Sequence, residues 1–129
     1  EKLDKTIEKK IKIGRLYNKY LMEIKDIVLP LKKTDFAQNI YWVFGILINS
    51  EIENAKSIMA KLKNLKIGSR PFFYPMHKQP VFKKMGIFEK NYFPVSERLY
   101  KKGLYLPSGI KLLEEDVKII SKRLKTIFQ

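Results

Sequence analysis

The sequence predicts an α+β fold, a small and mostly antiparallel sheet packed with helices, and three observations lead to this prediction. Apolar residues recur every three or four positions near the start, the middle and the end of the chain, which is the period of an amphipathic helix. The stretch Asn39–Ile48 is almost entirely apolar and rich in β-branched and aromatic residues, as in a buried strand. Prolines interrupt the region 70–107, which leaves room only for short strands.

The first part of the chain is predicted to hold a helix and the central strand. The helix covers residues 3–24, with lysines and glutamates opposite its apolar stripe. A connector over residues 26–38 contains a proline and a short polar run. Within the strand that follows, Tyr41 and Trp42 are expected to be core residues.

A second helix is predicted to follow the strand. Ser50 and Glu53 have the spacing of a capping box, in which each side chain satisfies the other's exposed backbone N–H. The apolar stripe of this helix starts at Ile52 and continues to Leu65, and Gly68 follows the expected helix end.

The remainder is predicted to alternate short strands and helices. Residues 70–74 form an edge strand, because Pro71 cannot donate a hydrogen bond to a neighbouring strand. A short helix over 95–102 ends at a glycine, and a brief strand over 104–106 is stopped by a proline. The last helix covers 114–128, with acidic residues in its first turn and basic residues in its last, as the helix dipole favours.

The composition limits what kind of protein this is. A chain of 129 residues, with 45% hydrophobic and 31% charged residues, is expected to form one folded domain over residues 1–129. Its longest apolar run is too short to cross a bilayer, and a basic stretch followed by an apolar one is not seen, so we expect neither a membrane span nor a signal peptide. Cysteine is absent, which removes disulfides and thiolate metal sites and is compatible with a cytoplasmic location.

The net charge of +14 raises the alternative of a cationic module that binds nucleic acid. Only four of the 27 basic residues are arginine, however, whereas sites that read phosphates and base edges favour the bidentate guanidinium. The lysines are spread along the chain among acidic residues, as on solvated helix faces. We therefore do not expect nucleic acid to be a partner. A second alternative is a structural fragment without activity of its own, because Glu1 falls inside a helical pattern and suggests a piece of a longer protein.

Two stretches carry a more specific pattern than the composition does. Residues 67–82 have the sequence IGSRPFFYPMHKQPVF, and residues 93–109 have the sequence FPVSERLYKKGLYLPSG. Together they resemble the C-terminal region of the DegT/DnrJ/StrS family, the aminotransferases of nucleotide-linked sugars that depend on pyridoxal phosphate. The flanks agree, since residues 15–21 resemble a family helix and residues 41–44 fall where the family has an aromatic strand. The one departure is Leu113, where the family has a Thr or Ser that caps the last helix.

The resemblance implies that this chain is the small C-terminal domain of such an enzyme, without the large domain that binds the cofactor. It implies a parent that transfers an amino group, with glutamate as donor, to a keto-sugar carried on a nucleotide. The large domain of the same polypeptide and a second copy of the parent are then the expected partners. Pyridoxal phosphate is expected in the parent and not on this chain, because its lysine, its aspartate and its phosphate-binding backbone lie upstream in the family.

The resemblance also points to candidate substrate-binding residues, His77, Arg70 and Tyr74. The only histidine of the chain falls in a proline-bounded loop where the family has its substrate-side histidine, and its other interpretation is an idle surface histidine. Arg70 could hold a carboxylate or a phosphate with its guanidinium, or pair with a neighbouring acid. Phe72, Phe73 and Tyr74 are expected to line the substrate cleft or to pack at the domain interface.

The sequence offers no catalytic or metal-binding residue. Ser96 beside Glu97 could suggest a nucleophile and an acid, but no base is placed to activate the serine, so we interpret the pair as helix capping. A single histidine among scattered carboxylates does not have the spacing of a metal site.

Overall fold

The computed structural model describes residues 2–129. Within them the chain forms five α-helices, which are α1 (Lys2–Leu21), α2 (Ala55–Asn64), α3 (Pro80–Lys84), α4 (Pro94–Lys102) and α5 (Glu114–Ile127). Four strands make one sheet, and they are β1 (Ile27–Val28), β2 (Phe44–Ile48), β3 (Arg70–Pro71) and β4 (Gly103–Leu106). A 3-10 turn, Met76–Lys78, lies between β3 and α3. The α+β prediction is confirmed.

The sheet has the order β1-β2-β4-β3, and every neighbouring pair is antiparallel. Phe44 lies opposite Leu106 and Ile46 lies opposite Leu104, so these four side chains share one face of the sheet. The strand β3 is at the edge, as predicted from Pro71, and it pairs with β4 only.

The core lies on one face of the sheet, between the strands and helices α1, α2 and α5. Phe44, Ile46 and Leu104 are at most 1% exposed, and Tyr17 of α1 stacks on Phe44 with ring centroids 4.6 Å apart. The packing partners on α2 and α5 are the predicted apolar positions Ile58, Leu62, Val117, Ile120 and Leu124. Helical periodicity located these side chains because the buried face of a helix must match the apolar stripe.

The predicted start of the second helix was wrong. Helix α2 begins after Asn54, whose side chain accepts from the backbone N–H of Ser57, while the Ser57 hydroxyl accepts from the N–H of Asn54. Ser50 instead accepts from the N–H groups of Ile52 and Glu53 in the turn before the helix. The stripe therefore does not include Ile52, which is 92% exposed. Two capping sequences follow each other here, and the second one starts the helix.

Trp42 is not a core residue, contrary to the prediction, whereas Tyr41 is. The indole is 67% exposed and Tyr41 is 4% exposed. Strand β2 begins only at Phe44, and Tyr41 has a positive φ of 53°, so the chain turns at this point and the alternation of a strand does not extend back to Trp42.

Three short elements were not predicted: β1, the 3-10 turn and α3. Each has between two and five residues, which is too short to show a period in the sequence. The first helix also ends at Leu21, three residues before the predicted limit. The other predicted elements in the second half of the chain agree with the structure within a few residues.

Helix α4 passes directly into the strand β4, since Lys102 ends one element and Gly103 begins the next. The helix starts at Pro94, whose missing N–H costs nothing in the first turn of a helix. The ammonium group of Lys102 donates to the backbone carbonyls of Ser50 and Glu53, which attaches α4 to the turn before α2.

Candidate functional site

The predicted site residues lie on the segment that leaves the edge strand β3 and enters the 3-10 turn. Arg70 is opposite Tyr105 in the register of β3 and β4, which places it on the sheet face that points away from the core. The residue is exposed, and within residues 2–129 its guanidinium makes no hydrogen bond or ion pair. The interpretation of Arg70 as the partner of a neighbouring acid is therefore wrong for the described part of the chain.

Phe72 and Phe73, which follow Pro71, form an aromatic cluster with Tyr105. Phe72 stacks on Tyr105 with ring centroids 4.6 Å apart, and Phe73 meets the same ring edge-on at 6.1 Å. A methyl group added to Gly45 or Gly103 would lie 2.9 Å and 2.3 Å from the Phe72 ring. Two strand glycines thus make the space in which Phe72 lies. Phe73 stays 76% exposed, so this cluster is open to solvent on one side.

Tyr74 contacts helix α4. Its ring meets Tyr100 edge-on, with centroids 5.0 Å apart, and 42% of the residue is exposed. A tyrosine held by its ring and open at one side can offer its hydroxyl to a ligand.

His77 also contacts α4, through a carboxylate that the sequence interpretation had assigned to capping. Its Nε2 lies 3.0 Å from Glu97 Oε1, and the imidazole packs on Phe93 with centroids 4.8 Å apart. The second oxygen of Glu97 pairs with the Nζ of Lys78 at 2.8 Å. The His77 side chain is only 13% exposed. It is thus neither an idle surface histidine nor a fully buried one.

Glu97 is held as a carboxylate by these partners. Its pKa is lowered, first by the hydrogen bond from Lys78 and then by that from His77. An ionised carboxylate only accepts hydrogen bonds, so the Nε2 of His77 must carry the proton that it donates. In the neutral ring the Nδ1 atom is then an acceptor. Because Glu97 binds the Nε2 side, Nδ1 is the ring nitrogen that can accept a hydrogen bond from a ligand.

Two of the three predicted site residues, Tyr74 and His77, contact helix α4. Tyr74 contacts Tyr100 and His77 contacts Glu97, which are three positions apart on α4 and therefore neighbours on its surface. Within residues 2–129, Arg70 makes no hydrogen bond, ion pair or ring contact with either residue. Sequence reasoning missed Glu97 as part of the site, because the partner of a histidine 20 positions away leaves no local pattern.

A groove of about 330 Å³ adjoins this region between α2, β3 and α4. Its lining includes Met59, Pro71 and Tyr100 together with the lysines Lys56 and Lys101. The lining does not include His77, Arg70 or Tyr74. The predicted site residues therefore do not form this groove.

A lysine that forms a Schiff base needs a free Nζ, a requirement that Lys10 does not meet. Burial lowers the pKa of Lys10, as in many reactive lysines. Its Nζ, however, donates to the backbone carbonyls of Trp42, at 2.8 Å, and of Ser108. Lys10 joins α1 to two loops and does not fit the attachment point of pyridoxal phosphate.

Residues 2–129 contain no group of three or more histidine, cysteine, aspartate or glutamate side chains arranged to hold a metal ion. No helix of this part of the chain combines the length and the apolar character that crossing a membrane requires.

Solved structures share this fold over nearly the whole chain. DesI, solved in the presence of its TDP-sugar product, superposes with a TM-score of 0.78 over 93% of this chain and 30% of its own, at 19% identity. Spr1654 from Streptococcus pneumoniae, in its PLP form, superposes with a TM-score of 0.81 over 94% of this chain and 31% of its own, at 20% identity. The family model of the DegT/DnrJ/EryC1/StrS aminotransferases matches residues 1–125, and the chain belongs to that family.

One relative is similar in sequence over nearly the whole length of this chain. GDP-perosamine synthase from Vibrio cholerae is 33% identical over 132 aligned residues, which cover 99% of this chain and 34% of that protein. The chain thus spans about a third of the length of the relatives that it matches. The family resemblance of the sequence is confirmed.

Proposed function

We propose that this chain is the small C-terminal domain of an aminotransferase that acts on a nucleotide-linked keto-sugar, with glutamate as the amino donor. The observation that carries the proposal is the family match over residues 1–125, together with the GDP-perosamine synthase of Vibrio cholerae as a relative. The names of that enzyme and of the DesI complex, which holds a TDP-sugar product, both support a nucleotide-linked sugar as the substrate. The family match favours this function over a nucleic-acid-binding module.

We infer that a large domain of the same polypeptide binds the cofactor and packs against this one. The chain spans about a third of its relatives, and it presents large exposed apolar residues such as Phe73 and Met76 beside the predicted site. When bound in such enzymes, pyridoxal phosphate carries the amino group between donor and acceptor. The domain proposed here would be inactive alone and would act within a homodimer of the parent.

The role of this domain in the proposed reaction is to bind and orient the substrate. The Nδ1 of His77 would accept a hydrogen bond from a sugar hydroxyl, because the Nε2–H group donates its hydrogen bond to Glu97. The unpaired guanidinium of Arg70 would hold a phosphate or the donor carboxylate through two parallel hydrogen bonds. The hydroxyl of Tyr74 would contribute a further contact at the exposed side of its ring.

The test uses the full-length enzyme with His77→Ala and Arg70→Ala variants. Arg70→Ala should raise the Kd for the nucleotide-sugar, or for glutamate, about tenfold to a hundredfold, which corresponds to about 1.5–3 kcal/mol for a hydrogen bond to a charged group. His77→Ala removes a hydrogen bond between neutral groups, worth about 0.5–1.5 kcal/mol, and should raise the Kd for the sugar up to about tenfold. Arg15→Ala is the matched control, since Arg15 is also an exposed arginine but lies on α1. Unchanged binding of both the sugar and glutamate in the two site variants, with intact thermal unfolding, would remove these residues from the proposed site.

A further inference from the structure

We propose that Glu97 is a positioning residue, which fixes the tautomer and the orientation of His77 toward the sugar substrate. This inference rests on the proposed function, because it takes His77 as a group that touches the sugar. It assigns a role to a residue of α4 that does not itself contact substrate.

Contacts hold the His77 imidazole on two sides. The Nε2 edge is fixed by Glu97 at 3.0 Å, and a face of the ring lies against Phe93 with centroids 4.8 Å apart. Both contacts come from the beginning of α4, since Phe93 is the residue before its first turn. With its edge and a face held, the imidazole has little freedom to rotate, and the Nδ1 edge is the part left for a ligand.

Glu97 faces His77 as an ionised carboxylate, since its pKa is lowered by Lys78 and His77. Lys78 occupies the second carboxylate oxygen at 2.8 Å, so the carboxylate bridges two neighbouring residues of the 3-10 turn. Because it accepts on both oxygens, it selects the Nε2–H tautomer of His77 and disfavours the tautomer in which Nε2 would face it with a lone pair. The selected tautomer presents an acceptor to a sugar hydroxyl.

The alternative is that Glu97 only ties the 3-10 turn to α4. An exposed pair such as Glu97 and Lys78 is worth little, about 0–1 kcal/mol, so a purely structural role predicts a small and general effect of its removal. A positioning role predicts an effect that depends on His77 and that is confined to the sugar. The two roles can therefore be separated by a double-mutant cycle.

The experiment compares Glu97→Ala, His77→Ala and the double variant in the full-length enzyme, with the half-reactions of the sugar and of the amino donor measured separately. Glu97→Ala should lower kcat/KM for the sugar about tenfold, the loss expected for one misplaced hydrogen bond, and should leave the donor half-reaction unchanged. In the His77→Ala background, removal of Glu97 should have no further effect. Glu97→Gln should recover part of the loss, since its amide oxygen can still accept from Nε2.

Each other outcome contradicts a defined part of the argument. If His77→Ala leaves the sugar half-reaction unchanged, the proposed role of His77 fails. If His77→Ala lowers it but Glu97→Ala does not, or if the two losses add in the double variant, only the positioning role of Glu97 is overturned. Lys78→Ala is the matched control, because it removes a partner of the carboxylate and leaves the Glu97–His77 hydrogen bond in place.

A spectroscopic measurement tests the tautomer without enzyme activity. His77 is the only histidine of this chain, so ¹⁵N-histidine labelling gives one imidazole spectrum. The spectrum should show a single Nε2–H tautomer that becomes an exchanging mixture in Glu97→Ala. A mixture in the unmodified chain, or the same spectrum in both, would overturn the proposal even if Glu97→Ala weakens the fold.

Discussion

The amide of Asn18 donates a hydrogen bond to the hydroxyl of Tyr41 at 3.2 Å, inside the core. The same Nδ2 donates to the carbonyl of Gly14 one turn earlier on α1, at 2.8 Å. Tyr41 lies directly on Gly14 and is held in a backbone conformation with φ of 53°. A glycine and an asparagine, both poor helix formers, thus appear in α1 because they accommodate one buried tyrosine.

Gly14→Ala should destabilise the chain, although alanine is the better helix former. The added methyl group would lie 2.2 Å from Cγ of Tyr41, a ring that also stacks near Phe44. The gain in helix propensity is about 1 kcal/mol, and overpacking of a core costs about 1–3 kcal/mol, so we expect a net loss in the free energy of unfolding by urea denaturation. Gly68→Ala is the control, since nothing lies within 4 Å of the added methyl group. A stabilised Gly14→Ala variant would contradict the close contact.

Leu113→Ser should stabilise the chain by about 1 kcal/mol in a thermal or urea unfolding experiment. Leu113 is the N-cap of α5 and has the extended backbone of a cap, but its side chain offers no acceptor. Asp116 already accepts from the backbone N–H of Leu113 at 2.9 Å, so a serine would complete the capping box. Leu113→Ala removes the same exposed leucine without adding an acceptor, and equal stability of the two variants would count against the capping argument.

The carboxylate of Glu53 should make stability sensitive to acid. Its pKa is lowered by the hydrogen bonds from Lys61 and then from Ser57. A lowered pKa in the folded state contributes stability above the pKa of the unfolded chain, about 4.3, and that contribution is lost as the pH falls through the folded value. Glu53→Gln should therefore be less stable than the unmodified chain at pH 7, and the difference should close in acid.

The control for this pH dependence is Glu51→Gln. Glu51 is exposed, and within residues 2–129 its carboxylate makes no hydrogen bond or ion pair. The difference between this variant and the unmodified chain should stay small at all pH values. A Glu53→Gln difference that persists unchanged at low pH would show that the loss comes from packing rather than charge.

Pyridoxal phosphate should not form a stoichiometric adduct with one lysine of this chain. The Nζ of Lys10, whose pKa is lowered by burial, is engaged by two carbonyl oxygens. After borohydride reduction, peptide mass spectrometry should find low and dispersed labelling of surface lysines. A single lysine modified in full, with an absorbance band that survives dialysis, would contradict this prediction.

The long core helices α1 and α5 could be predicted from the sequence. Burial of one helix face makes apolar residues recur with the helical period, and helices of fourteen or more residues show that period clearly. The edge position of β3 could be predicted because Pro71 lacks the backbone N–H that a strand between two neighbours would need. The start of α2 was misplaced, since Ser50 and Asn54 both have suitable capping side chains and only tertiary contacts choose between them. Trp42 was misassigned for a related reason, because an apolar run does not reveal where the backbone turns.

For the candidate site, the sequence supplied residues but not their partners. The family resemblance pointed to His77, while the contact with Glu97 depends on how α4 packs against the 3-10 turn. That packing joins residues 20 positions apart, and local patterns carry no information about it.

The direct passage from α4 into β4 has a mechanical consequence. No loop separates Lys102 from Gly103, so the helix that holds His77 and Tyr74 is joined directly to a central strand of the sheet. Any displacement of these side chains that arises from α4 is shared with the core. If the proposed parent enzyme closes over its substrate, we expect this domain to move as one piece, with the bending at its junction with the proposed large domain.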